Sequence, residues 1–320
     1  MEVNICSKNN SLFLWQPCSL LLMASATKNI FPYYVKQLQF VWSVSALVKR
    51  KIIQILTTFL YNANLPGFLT GNIYRGSTKS VCVPGLNCYS CPGALGACPL
   101  GSLQSSFSGV FLRIPFYVLG SILLFSILLG RLICGWLCPF GLLQELLYKI
   151  PTPKIKRNNF TRKLSLLKYF IAVIFLLILP IVYYLTTGVG VPAFCKFICP
   201  AGTFEAGIPL TTAKPMLKNA LGWLFTWKFF LLLLTIFSSI FIYRPFCRFI
   251  CPLGAIYGLF NKLSIFGVNV DMTRCIGCDK CMRHCQMDCH AVGDRECINC
   301  GECANVCPTK AISIGKKSPY

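Results

Sequence analysis

Charge is scarce in this chain, and acid is scarcer still. Of 320 residues, 12% are Asp, Glu, Lys or Arg, about half the share usual in soluble domains. Nine acids face 31 bases, for a formal charge of +22. So little charge, beside 55% hydrophobic residues and a mean hydropathy of +0.62, excludes an ordinary soluble globule. It also excludes intrinsic disorder, because disordered chains are rich in charge and poor in aromatics. Histidine is limited to His284 and His290, outside any long apolar run, so a haem held by two membrane histidines is excluded. There is no Cys-x-x-Cys-His for a c-type haem, and no glycine-rich dinucleotide fingerprint or Walker sequence. Neither haem nor bound nucleotide is expected. No nucleophile–base pair stands out, so no bond chemistry on an organic substrate is expected. A basic balance suits nucleic-acid binders, but many of these bases flank apolar stretches, where they anchor topology. No nucleic-acid partner is expected.

What the chain has in plenty is long apolar sequence. A bilayer core of roughly 30 Å needs about 20 apolar residues to cross it, and four stretches qualify as candidates. Ile52–Tyr74 is uncharged but interrupted by Asn62, Asn64, Pro66 and Gly67; Ile114–Ile133 carries Arg131; Tyr169–Cys195 is uncharged; Ala220–Tyr243 is broken only by Lys228. Lys49, Arg50 and Lys51 precede the first stretch, and seven bases from Lys149 to Lys168 separate the second from the third. The other two connections are poorer in bases, so the charge rule places both termini and the middle loop in the cytoplasm. The connections Asn72–Arg113 and Gly188–Asn219 then face outward or fold back into the membrane. The expected fold is an α-helical membrane protein with about four transmembrane helices, followed by a small α+β ferredoxin-like domain. Three regions are expected: an N-terminal extension over 1–48, a membrane domain over 49–260 and a water-facing domain over 261–320. Within the first, Ser11–Met23 followed by Ala24-Ser25-Ala26 faintly resembles a signal peptide, but cleavage there would leave Lys49-Arg50-Lys51 outside; an interfacial extension fits better.

The other abundance is cysteine, 21 in all. Cys275-x2-Cys278-x2-Cys281-x3-Cys285 is followed by Cys297-x2-Cys300-x2-Cys303-x3-Cys307-Pro308. Three cysteines at two-residue spacing wrap one cubane, and the fourth crosses to the other. One [4Fe–4S] cluster is therefore assigned to Cys275, Cys278, Cys281 and Cys307, and a second to Cys285, Cys297, Cys300 and Cys303. Gly277 and Gly301 suit a backbone turning tightly around a metal core. Zinc is the alternative, although its sites use pairs of Cys-x-x-Cys rather than four-cysteine runs. Cys289, in the linker between the runs, is read as a bystander rather than an alternative ligand, and His284 and His290 as solvated surface residues.

A second pattern is Cys-x3-Cys-Pro, found at Cys134/Cys138, Cys195/Cys199 and Cys247/Cys251. Three-residue spacing puts two thiols on one face of a helical turn. Topology puts the first and third pairs at the cytoplasmic face, where Cys134, Cys138, Cys247 and Cys251 would supply four thiolates for one further cluster. On the opposite side stand Cys82, Cys88, Cys91 and Cys98, together with Cys195 and Cys199. A cluster needs four of these six, and the sequence leaves open which; disulfides are the alternative on an oxidising face.

Cys134-Gly-Trp-Leu-Cys-Pro-Phe-Gly141, Cys247-Arg-Phe-Ile-Cys-Pro-Leu-Gly254 and the terminal double run resemble the NapH/NosR-type membrane iron–sulfur proteins, from about residue 50 onward. The resemblance implies an electron-transfer protein of the cytoplasmic membrane that relays electrons through [4Fe–4S] clusters between redox donor and acceptor proteins. The Cys82–Cys98 loop departs from the simplest members. Two other functions are weighed against the relay: a copper or iron reductase using the outer thiols as soft ligands, and a redox-sensing regulator. A direct hop across a bilayer is too long, so a re-entrant element or further cofactor is required, and the Pro/Gly-rich outer loop is the candidate.

Overall fold

The computed structural model describes residues 46–107, 115–155, 157–214, 216 and 222–317, within a compact unit, Ser45–Tyr320. Of the expected N-terminal extension, residues 1–45 lie outside the described residues. The fold is mostly helical, with a single pair of strands among the described residues. Four helices carry the long apolar runs: α1 (Ala46–Tyr61), α2 (Phe116–Leu128), α3 (Asn159–Thr187) and α4 (Trp223–Phe241).

Among the described residues, α3 and α4 are the two helices long and apolar enough to cross a membrane, at 29 and 19 residues. Buried positions make up only 22% and 17% of their most apolar stretches. Apolar surface of that extent suits lipid contact rather than the core of a soluble protein. The stretch Ile52–Tyr74 instead forms two pieces. α1 stops at Asn62, and a second helix, Leu65–Thr70, starts with Pro66 in its first turn and closes on left-handed Gly71. Proline lacks the N–H that would continue the ladder from α1. α2 is 13 residues long, shorter than the expected Ile114–Ile133.

α3 begins at a capping box, Asn158 with Thr161, and ends on Gly188 at φ +72°. It widens to a π-turn over Ile174–Ile178, just ahead of Pro180. The same combination recurs over Thr203–Gly207, ahead of Pro209. Each proline deletes a backbone donor, and the wider turn accommodates the gap. At the first of these turns the Gln104 side chain donates to the Phe175 carbonyl at 2.8 Å.

The C-terminal part is closed by β1 (Phe266–Val270) and β2 (Ile312–Lys316), antiparallel in the register Phe266↔Lys316 to Val270↔Ile312. Val268, Ile312 and Ile314 bury their side chains with Trp136, which comes from the helix Leu132–Trp136. Bases read from sequence as topological anchors also do something else. Arg50, Arg131, Lys168, Arg244 and Arg248 are 0–1% exposed. Four of them hold acids of the C-terminal part: Arg131 (2.7 Å) and Lys168 on Glu296, Arg248 on Asp288 at 2.6 Å, and Arg50 on Glu302 at 3.2 Å. The acids so scarce elsewhere are spent on this joint.

Candidate metal centres

The two C-terminal runs repeat one backbone shape. Gly277 and Asn299 occupy equivalent places with φ +66° and +50°, and Asp279 and Gly301 do so with φ +53° and +80°. Left-handed residues two apart curl the chain so that successive cysteines face a common centre. Cys285, Cys297, Cys300 and Cys303 line one cavity, joined there by Cys281 and Cys289. Cys281 and Cys307 pack in one apolar cluster, Cys278 lies within electrostatic reach of Cys281, and Cys275 is exposed. Cys289 is buried and lines the same cavity as Cys285 and Cys297, where its thiol holds that of Cys297 below the usual range. His284 and His290 are exposed.

The three Cys-x3-Cys-Pro segments share one construction. Cys134, Cys195 and Cys247 each sit in a one-turn helix: Leu132–Trp136, Ala193–Phe197 and Pro245–Phe249. In each, the amide of the second cysteine reaches five residues back, from Cys138 to Ile133, Cys199 to Phe194 and Cys251 to Phe246. The second cysteine then turns extended and caps a new helix whose first residue is the proline. Two of these units face each other: Cys247, Cys134 and Cys138 all lie within electrostatic reach of Cys251. The amides of Gly254 and Gly141 point at the Cys251 and Cys138 sulfurs, and Gln144 Nε2 donates to Cys247 Sγ at 3.2 Å. The structure thus brings together the four cysteines expected at the inner site.

A further signal lies in the sequence beyond the three-residue spacing. Each second cysteine begins Cys-Pro-x-Gly, and so does Cys98-Pro99-Leu100-Gly101. Cys98 is also extended and caps a helix, Pro99–Ser106, with Gly101 and Leu100 amides on its sulfur. Of the six outer cysteines, Cys88, Cys98, Cys195 and Cys199 line one cavity of about 350 Å³. The other two stand apart from it: Cys82 pairs by its backbone with Ala97, and Cys91 Sγ turns to Asn62 Oδ1 at 3.6 Å. A Cβ added at Gly202 would sit 3.7 Å from Cys88 Sγ and 4.0 Å from Cys199 Sγ, so the missing side chain leaves room over the thiols. Glu205 accepts the Cys88 amide, and burial lifts its carboxyl to about 8. Among the described residues no three Cys, His, Asp or Glu side chains converge closely enough for one ion. A single zinc gathers its sulfurs to about 2.3 Å, whereas a cubane holds four thiolates around a larger body. The outer all-thiol set, in its cavity of about 350 Å³, fits the latter.

The two thiol quartets are neighbours. Pro84–Cys88 runs from one to the other: the Leu86 amide points at Cys138 Sγ, the Asn87 amide at Cys98 Sγ, and Cys88 lines the outer cavity. Tyr257, whose hydroxyl donates to the Pro84 carbonyl at 2.9 Å, lies within electrostatic reach of Cys98, Cys134, Cys138 and Cys251. On the other side, Cys134 packs against an apolar core that includes Cys289, Cys297 and Ile298 of the C-terminal part, and Trp136 Nε1 donates to the Asn299 carbonyl at 2.9 Å. Sequence reasoning did not find Glu145, a buried acid on the helix Pro139–Tyr148. It receives Arg50, Lys51, Arg244 and the Tyr243 hydroxyl.

Three stretches, 112–158, 169–208 and 223–269, match a 4Fe-4S binding domain, each containing one Cys-x3-Cys-Pro, and 292–313 match a second 4Fe-4S binding domain. An uncharacterized protein of Methanocaldococcus jannaschii is 32% identical over 178 residues, which are 52% of this chain and 63% of that protein. The regulatory protein NosR of Stutzerimonas stutzeri is 28% identical over 165 residues, 51% of this chain and 21% of NosR. The methylamine utilization ferredoxin-type protein MauN of Methylobacillus flagellatus is 24% identical over 247 residues, 75% of each chain. The chain therefore spans less than two thirds of the first relative and about a fifth of NosR. No solved structure matches.

Proposed function

Because the chain is a NapH/NosR-like 4Fe–4S protein, we propose that it is an integral membrane electron carrier of the cytoplasmic membrane. It relays electrons between a cytoplasmic donor and a membrane or extracytoplasmic redox partner. Four [4Fe–4S] clusters are assigned: two in the C-terminal domain over 261–320, on the ligands read from its two runs, one on Cys134, Cys138, Cys247 and Cys251, and one among the outer cysteines. When bound, such clusters supply one-electron redox chemistry at a potential set by burial and by hydrogen bonds to sulfur. α3 and α4 span the bilayer, α1 and α2 complete a set of four, and both termini are cytoplasmic.

The observation that carries this reading is that the cysteine groups adjoin: Cys134 packs against the apolar core that holds Cys297 and lies within electrostatic reach of Cys138, and the neighbouring Leu86 and Asn87 amides face Cys138 and Cys98. Leu86 and Cys88 are two residues apart, a reach of at most about 7 Å. The bilayer-wide gap that troubles the sequence reading is thereby shortened by the chain itself. Leu86 and Asn87 are 4% and 0% exposed, as irregular backbone at membrane depth must be. The chain's own residues hold the thiols, aim amides at them and exclude water. Trp136 closes the side facing Asn299, and Phe140 stacks edge-on against Phe246 at 5.2 Å between the two inner motifs.

The test is iron and acid-labile sulfide per chain on anaerobically purified, detergent-solubilised protein. About sixteen of each, four per cubane, is the expected result. About eight would leave only the C-terminal domain loaded and would overturn the four-cluster reading.

A further inference from the structure

The Cys-x3-Cys-Pro motifs number three, and the first and third complete each other. The middle one, Cys195 and Cys199, has no partner of its kind. Its missing half lies in 82–98, a loop outside every stretch that matches a 4Fe-4S binding domain. Four observations select which residues supply it. Cys98 repeats the second cysteine of the inner units in sequence, conformation and helix start. Cys88 lines the same cavity as Cys195 and lies within electrostatic reach of it, as do Cys98 and Cys199. Cys82 and Cys91, the loop's other thiols, do not line the cavity that Cys88, Cys98, Cys195 and Cys199 share, and Cys91 Sγ turns to Asn62.

The fourth observation is Lys228, in the second turn of apolar α4. Its Nζ donates to the Cys195 carbonyl at 3.1 Å and would lie 3.8 Å from a Cβ on Gly202. Among the described residues it has no ion-pair partner. An ionisable side chain within an apolar spanning helix calls for a countercharge. Four thiolates on a cubane leave about two negative charges, which this position meets.

We propose that Cys88, Cys98, Cys195 and Cys199 ligate the outer [4Fe–4S] cluster, that Lys228 is its countercharge, and that Cys82 and Cys91 are not ligands. The assignment rests on the four-cluster reading above and adds to it the choice of four from six.

The experiment compares the full chain carrying Cys82→Ser, Cys88→Ser, Cys91→Ser or Cys98→Ser with the parent, each purified anaerobically in detergent. Iron, sulfide and the low-temperature EPR spectrum of the dithionite-reduced protein are read together. Cys88→Ser and Cys98→Ser are expected to lose about four iron and one EPR component, while Cys82→Ser and Cys91→Ser keep about sixteen iron. The signals of the C-terminal clusters serve as the folding control in every variant. A parent with sixteen iron whose Cys82→Ser or Cys91→Ser variant loses four overturns the assignment alone. So does retention of all sixteen by Cys88→Ser or Cys98→Ser. A parent with about eight iron overturns the four-cluster reading and the assignment with it, and one with about twelve that keeps the inner cluster overturns the outer site. Lys228→Met is expected to leave iron unchanged and to lower the potential of that one EPR component; an unshifted potential removes Lys228 as countercharge.

Discussion

Gly135 faces the Ile298 carbonyl so closely that a Cβ on it would stand 2.3 Å from the oxygen. These residues belong to different cysteine motifs: Gly135 follows Cys134 of the first Cys-x3-Cys-Pro segment, and Ile298 follows Cys297 of the second C-terminal run. The contact sets how near the two sets of thiols come. Gly135→Ala must push them apart, at a cost of about 1–3 kcal/mol for overpacking. The expected outcome is full iron content with slower electron equilibration between the inner cluster and the C-terminal pair, seen as weakened spin coupling in EPR. Unchanged coupling would mean that the contact does not govern the separation.

Glu145 gathers Arg50, Lys51, Arg244 and Tyr243 around one buried carboxylate. Removing the acid strands buried cations, and breaking a buried pair from one side costs about 3–5 kcal/mol. Glu145→Gln is expected to lower the thermal midpoint of the detergent-solubilised protein sharply. Replacing Lys51, which is the most exposed of the three cations, is expected to lower it least.

Cys289 is buried beside Cys285 and Cys297 in one cavity, its thiol positioned to donate to their sulfurs. A donor beside cluster sulfurs tunes potential without binding iron. Cys289→Ala is therefore expected to keep all its iron while one C-terminal cluster becomes harder to reduce in an EPR-monitored titration. Loss of about four iron would instead make Cys289 a ligand.

How far the sequence carried this picture depends on the range of each interaction. Cluster ligands two or three residues apart are local, so the runs at Cys275–Cys285 and Cys297–Cys307 were readable, as were the tight turns at Gly277 and Gly301. The convergence of Cys88 with Cys195 spans more than a hundred residues and leaves no periodicity to read. Its one local trace, Cys-Pro-x-Gly at Cys98, escaped a search for three-residue pairs, because the spacing from Cys91 to Cys98 is wider. Hydropathy counted Arg131 and Lys168 as charges beside apolar segments. It could not reveal that both are buried against Glu296. Pro66, visible in the sequence as an interruption, proved to divide its stretch into two helices.

Cys138 and Cys251 head two helices of the same construction and share one quartet. If that quartet holds one cubane, either ligand is indispensable and the second loss adds nothing. Cys138→Ser and Cys251→Ser are each expected to lose about four iron and the same EPR component, with the C-terminal signals intact. The double variant is expected to match each single one. A double variant that loses about eight iron would place the two cysteines on different clusters and separate the motifs that the fold brings face to face.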